Sequence, residues 1–300
     1  MANEITPSAI ADLMADEVVS TEFLMLLAAR DGSVLTHPAW FYAQASAPNS
    51  NVVRVPHVGL GGYNLMTDHT PGAEKASTAL TTDATEVTIA PKSKVYTLDD
   101  FAGYLAAGML GKAKFAEDLA ITYAQTLIDV LANIGDDFTD IGGNAGSALT
   151  WADVIDTKTQ LAMRDVTGAL LAELHPEQWG DLEVDTLSLG FAPALTLNGV
   201  INKGLESAKG NYGSIDFFTS TRVPTSDAGV NHAGCILGRG GIAWADAPLP
   251  AVRDSFTLGR ARLEEQRRSR GLMTDYTFAC IIGAAKAIDN AGQTVKSRVA

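Results

Sequence analysis

KAKFAEDLAITYAQTLIDVLANIG, residues 112–135, carries one uninterrupted helical pattern, and the rest of the chain is organised around it. Phe115, Leu119, Tyr123, Ile128 and Leu131 fall near one face at helical spacing, and Ala116, Ala120, Ala124 and Leu127 widen the stripe. No Gly or Pro interrupts the run, and Ala, Leu and Gln are good helix formers. Gly135 is expected to stop it as a left-handed C-terminal glycine. At about 1.5 Å per residue such a helix spans roughly 30 Å, enough to cross a domain. One apolar face of that length needs a sheet or other helices laid along it.

Two flanking stretches supply extended partners. Asn51–Val58 (NVVRVPHV) and Thr85–Thr97 (TEVTIAPKSKVYT) alternate at period two, through Val53 and Val55, then Val87 and Ile89. Between them lies GLGGYNLMTDHTPGAEKASTALTTDA, polar and poor in large apolar side chains. The pair reads as a long β-hairpin with little core of its own, ordered by a neighbouring molecule. Near the C-terminus, Leu272–Ile282 (LMTDYTFACII) sets Thr274, Tyr276, Phe278, Cys280 and Ile282 on one side of a strand. Upstream, GRARLEEQRRSRG carries Arg260, Arg262, Arg267, Arg268 and Arg270 beside Glu264 and Glu265. These strands are expected against the long helix, which makes 141–250 an insertion of short α and β pieces.

Within that insertion Thr150 and Asp153 have the spacing of a capping box, ahead of a helix with Trp151, Val154, Ile155 and Ala162 on one face. Gly168–Leu174 reads as a short buried strand ended by His175-Pro176, and Ser214–Val223 as another. DDFTDIGGNAGS, after the long helix, reads as a polar break without the ligand spacing of a calcium loop. Residues 8–30 read as amphipathic helix, with Ile10, Leu13, Met14, Val18, Phe23, Leu24 and Leu27 at helical spacing.

Composition bounds the function. A formal charge of −13 argues against a general nucleic-acid binder, although not against a protein that surrounds nucleic acid without sticking to it. The arginine group alternates with glutamates and has no interleaved aromatics, so an ion-pair network between subunits suits it better than DNA. Cys235 and Cys280 sit in apolar surroundings and read as buried free thiols of a reducing compartment. Glu4 stands where a signal peptide would be basic, and no apolar run reaches membrane-spanning length. No Gly-x-Ser-x-Gly elbow, phosphate loop or HExxH helix occurs, and His37, His57, His69, His175 and His232 are scattered without metal-ligand spacing. No catalytic residue, cofactor or metal is therefore expected.

The order of parts resembles the major capsid proteins of tailed phages, the Hong Kong 97-type α+β fold. The resemblance rests on VVRVPHV and EVTIAPKSKVYTLDD around the polar stretch, on the long helix, on SIDFFTSTRVP with its following loop, and on GLMTDYTFACIIGAAKAID. It implies an N-terminal arm (1–48), an extended loop (49–97), a peripheral domain (98–140 with 251–300) and an inserted axial domain (141–250). Tyr63, Met66, His69 and Lys75 would then form the extended-loop tip. Phe115, Leu119, Tyr123, Leu127 and Leu131 would be the core of the spine helix. The implied activity is structural: self-assembly into hexameric and pentameric capsomers of an icosahedral head, assembled in the host cytoplasm and enclosing DNA without sequence-specific contacts. Separate scaffolding, portal and decoration proteins are implied partners, and a membrane is not. Lys75 lies in the loop where self-crosslinking members carry a reactive lysine, but no matching Asn or Glu is found. An encapsulin-type nanocompartment shell is the alternative of the same fold, and a cytosolic α/β metabolic enzyme the alternative of another class.

Overall fold

The computed structural model describes residues 39–44, 51–58, 82–99, 109–166, 168–188, 208–249, 255–258, 261–268 and 273–299. The expected helix over 8–30, the loop-tip residues Tyr63, Met66, His69 and Lys75, and the arginines Arg260 and Arg270 lie outside these.

Among the described residues strand β14 (Met273–Lys286) is the longest, and a sheet is built on both its edges. Strand β4 (Ala90–Asp99) runs antiparallel along one edge. Along the other, β13 (Ala261–Arg268) and β11 (Ile242–Ala247) lie end to end, pairing with Met273–Cys280 and Ile281–Lys286 respectively. Strands β12 (Ser255–Leu258) and β1 (Trp40–Gln44) complete this six-stranded sheet, β1 running parallel to β11. The alternation expected in β14 holds: Tyr276, Phe278, Cys280 and Ile282 are all buried on one face.

Helix α1 (Met109–Ala132) packs on that face. Leu119, Tyr123, Leu127 and Leu131 are buried there, with Leu127 fully enclosed and Ile128 only half-buried. Phe115 lies on the same helix, in its first two turns. The helix ends three residues before the expected stop. Asn133 and Ile134 close the last turn, and Gly135 opens a short 3-10 turn (Gly135–Asp137) without a positive φ. Gly135 serves close approach instead of capping: a Cβ there would lie 3.1 Å from Cys235 Sγ.

The opposite face of the sheet carries the hairpin of β2 (Val52–Val58) and β3 (Thr82–Thr88), paired antiparallel through Val52↔Thr88 to Val58↔Thr82. Its base is not without a core, contrary to expectation. Val55, Val87 and Ile89 are buried against Ala243, Ala245 and Ala247 of β11. The expected single strand over 85–97 is two, β3 and β4, separated at Ile89.

A second sheet has, in spatial order, β5 (Ile141–Gly143), β15 (Gly292–Arg298), β10 (Asn231–Leu237), β6 (Leu170–Leu174), β8 (Ile215–Thr219) and β7 (Ala208–Tyr212). The two-residue β9 (Thr225–Ser226) pairs with one end of β10. One face meets the core under α1 through Leu171, Phe218, Cys235 and Leu237. The other is covered by α2 (Trp151–Met163) and α3 (Pro176–Ser188), around Trp151, Val154, Leu161, Leu182, Phe217, Ile236 and Val295.

The capping box is present in both directions, Thr150 accepting from the Asp153 amide and Asp153 from the Thr150 amide. The spacing puts Ile155 on the inner face, but it is 47% exposed, and Ala162 is exposed too. Thr157 and Leu161 turn inward instead, because the face is set by Trp151, whose indole N–H donates to Thr186 Oγ1 on α3. The expected cuts at 140/141 and 250/251 do not coincide with the sheets. Strand β11 belongs to the first sheet, and β15 to the second. The polar break 136–147 contains a strand, β5, pairing parallel with β15.

Candidate functional site

Three surfaces carry the groups that could serve a function. The first is the arginine strand, β13. Arg262 is half-buried and ion-paired with Glu264, while Arg268 is exposed and reaches the buried Asp275 of β14 at 2.5 Å. Two of the arginines thus have carboxylate partners within the chain. Only Ala261–Glu264 of β13 pairs with β12, so among the described residues Glu265–Arg268, including Arg267, form an outer strand edge.

The second is a groove of about 540 Å³ between α1 and β4, lined by Lys92, Lys94, Asp118, Thr122, Asp129 and Arg222. Its groups are engaged with one another: Lys94 Nζ is 3.8 Å from Asp118, and Tyr96 and Thr122 share a hydrogen bond of 3.0 Å.

The third was not legible from spacing. His175 directly follows β6, Glu177 is in the first turn of α3, and His232 is the second residue of β10. The two imidazoles stack with centroids 3.7 Å apart, and His232 Nε2 is 2.7 Å from Glu177 Oε2. Burial, with His232 beside it, lowers the pKa of His175. Glu177 is only two residues from His175, but His232 is 55 residues further along the chain, so no local motif joins the three.

Deeper in the second sheet, Glu173 of β6 is buried opposite Cys235 of β10. Burial pushes its carboxyl up to about 8 and raises both cysteine thiols, Cys280 to about 11. Both thiols are free and buried. Because the Glu173 pKa is raised on folding, its protonated form is stabilising. That contribution is complete below the ordinary carboxylate range and is lost as pH rises towards 8. Glu173→Gln should therefore raise the melting temperature at pH 9, by an amount worth up to ~5 kcal/mol when each tenfold change in proton affinity is worth about 1.4 kcal/mol, and leave it unchanged near pH 4. Thermal melts across that range check this, and equal melts at pH 9 would refute it.

No protein-family model matches the sequence, and no curated protein matches it. Solved structures do. The capsid of Ralstonia phage GP4 superposes with a TM-score of 0.58 at 12% identity, covering 86% of this chain and 85% of that one. The capsid of cyanophage Pam1 gives 0.54 at 14% identity, over 87% and 91%. The chain has the fold of these phage capsid proteins. The same capsid fold is shared by the SrpI encapsulin of Synechococcus elongatus PCC 7942, at 0.55 and 13% identity over 85% and 83%. Among the described residues no helix is long and apolar enough to cross a membrane.

Proposed function

We propose that this chain is the major capsid protein of a tailed phage, a non-catalytic subunit that self-assembles through hexameric and pentameric capsomers into the head shell around the genome. One observation carries the reading: the likeness to phage capsid structures extends over more than four-fifths of both chains. In this reading 1–48 is the N-terminal arm and 49–97 the extended loop. Helix α1 is the spine of a peripheral domain (98–140 with 251–300), and 141–250 is the axial domain, with β11 and β15 exchanged between the two sheets. Portal, scaffolding and decoration proteins would be separate chains, and the location is the virion. The encapsulin match supports a second reading, a nanocompartment shell. Electron microscopy of the purified protein tests both: shells, sheets or capsomers are expected, and small closed oligomers would refute them. Shells that package protein cargo and no nucleic acid would favour the encapsulin.

The edge Glu265–Arg268 is the proposed subunit contact, together with the flanking Arg260, Arg262, Arg270 and Glu264. In a symmetric shell, reversing charge there repeats the same repulsion at every copy of the contact. Arg267→Glu with Arg268→Glu should lower particle yield several-fold and make the remaining particles salt-sensitive on gradients. Normal particles that no longer retain DNA in gel shifts would assign the arginines to the genome instead.

A further inference from the structure

His175, Glu177 and His232 sit at one end of the second sheet, where β6 passes into α3 beside β10. On this edge of β10 the pairing with β6 stops at Cys235↔Glu173, and β9 takes over beyond it, with Thr225 opposite His232. One donor atom from each of the three lies within 4.8 Å of the others. The His232 side chain is 5% exposed, whereas that of Glu177 is 43% exposed, so the cluster has a fixed inner member and an open outer one.

We propose that these three residues form a binding site for a divalent transition-metal ion of the zinc class. Two imidazoles and one carboxylate suit zinc, cobalt or nickel, whereas calcium and magnesium prefer oxygen ligands alone. With bonds of about 2.0–2.1 Å, tetrahedral ligands stand roughly 3.3 Å apart. The 2.7 Å contact between His232 Nε2 and Glu177 has to open by some tenths of an ångström. The His175 ring has to turn out of the stack, because a metal lies in the plane of each imidazole that binds it. His175 has the freedom to do so: it is half-buried, and its Nδ1 accepts one hydrogen bond, of 3.2 Å, from the Glu177 amide.

A second observation points the same way. His232 Nδ1 is buried without a hydrogen-bond partner, and so is Ser297 Oγ. These residues are direct cross-strand partners on β10 and β15. A metal on His232 Nε2 requires the proton on Nδ1, and a metal-bound histidine normally donates that proton to a neighbouring acceptor. Directly opposed residues have Cβ atoms about 5 Å apart, within reach of a rotamer change at Ser297. Metal binding thus gives two orphaned buried atoms each other as partners. It also ties β6, α3 and β10 together at one point, which stabilises the folded chain by mass action.

The test uses the full, tag-free chain and does not depend on assembly, which is read separately by microscopy. Cobalt(II) titration should give the visible absorption of a tetrahedral site saturating at one ion per chain. Zinc, but not calcium or magnesium, should raise the melting temperature by several degrees. His175→Ala and Glu177→Ala should each lose both signals, and His175→Ala, which removes a partly exposed side chain, should also keep the metal-free melting temperature. Ser297→Ala should weaken cobalt binding by about tenfold or more. The proposal is overturned if the unaltered chain shows no tetrahedral cobalt spectrum, or if the zinc shift survives undiminished in the His175→Ala, Glu177→Ala double variant.

Discussion

Leu127→Asp is expected to leave no soluble folded protein. Leu127 is fully enclosed on α1, in a core completed by Tyr276 and Phe278 of β14 and Leu263 of β13. The substitution removes an apolar side chain and buries a carboxylate with no partner, at a cost of roughly 5 kcal/mol or more. Total domain stability is only about 5–15 kcal/mol. The matched control is Ile155→Asp on α2, where the side chain is already half in solvent and the cost should be within a few tenths of a kcal/mol. Soluble yield and far-UV melting distinguish the two. A Leu127→Asp variant that melts like the unaltered chain would mean that this face of the helix is not core.

The second large effect is expected at Gly283, near the C-terminal end of β14. A Cβ there would stand 2.1 Å from the Thr88 carbonyl oxygen and 3.0 Å from Ile89 Cα. Both are backbone atoms at the β3–β4 junction, so no flexible side chain can move aside. Gly283→Val must either bend β14 or lift the hairpin off Ala243, Ala245 and Ala247. Overpacking of this kind costs ~3 kcal/mol. The core under α1 lies on the other face of the sheet, so the variant should remain folded with a lower melting temperature. Proteolysis should then cut near β2–β3, and particle formation should fall sharply. If particles form normally and the hairpin stays protected, the close crossing does not govern the hairpin's position.

The parts legible in the sequence are those whose pattern is local. Helix α1 shows in its three- and four-residue spacing, and the inner face of β14 in its alternation. The α2 start shows because Thr150 and Asp153 satisfy each other's amides without help from elsewhere. The core at the hairpin base is hidden because its partners are alanines, which mark no strand face and look like filler. Gly135 misleads because the reason for a glycine there is Cys235, a hundred residues away. The third surface escapes for a similar cause: His175 and Glu177 acquire meaning only once β10 brings His232 beside them. Strands β5 and β15 carry too little apolar alternation to stand out, since Gly142, Gly143, Gln293 and Thr294 occupy buried or close-packed positions.

The exchange of strands between the two sheets has a mechanical consequence. The chain passes from one sheet system to the other at Ala132–Ile141, at Leu237–Ile242 and at Lys286–Gly292, each time within ten residues, and one continuous core lies between them. A protein with two lobes on a single linker can flex at that linker, because a few loop dihedrals absorb the motion. Three short tethers around a shared core leave no such pivot, so a load on either sheet is carried along strands and not concentrated in a joint. In the proposed shell, two copies of this chain at positions of different local curvature would therefore differ in how they meet their neighbours far more than in their own internal shape. Comparing the sheet-to-sheet angle in copies from flat and curved regions of one particle would measure this, with variation of only a few degrees expected.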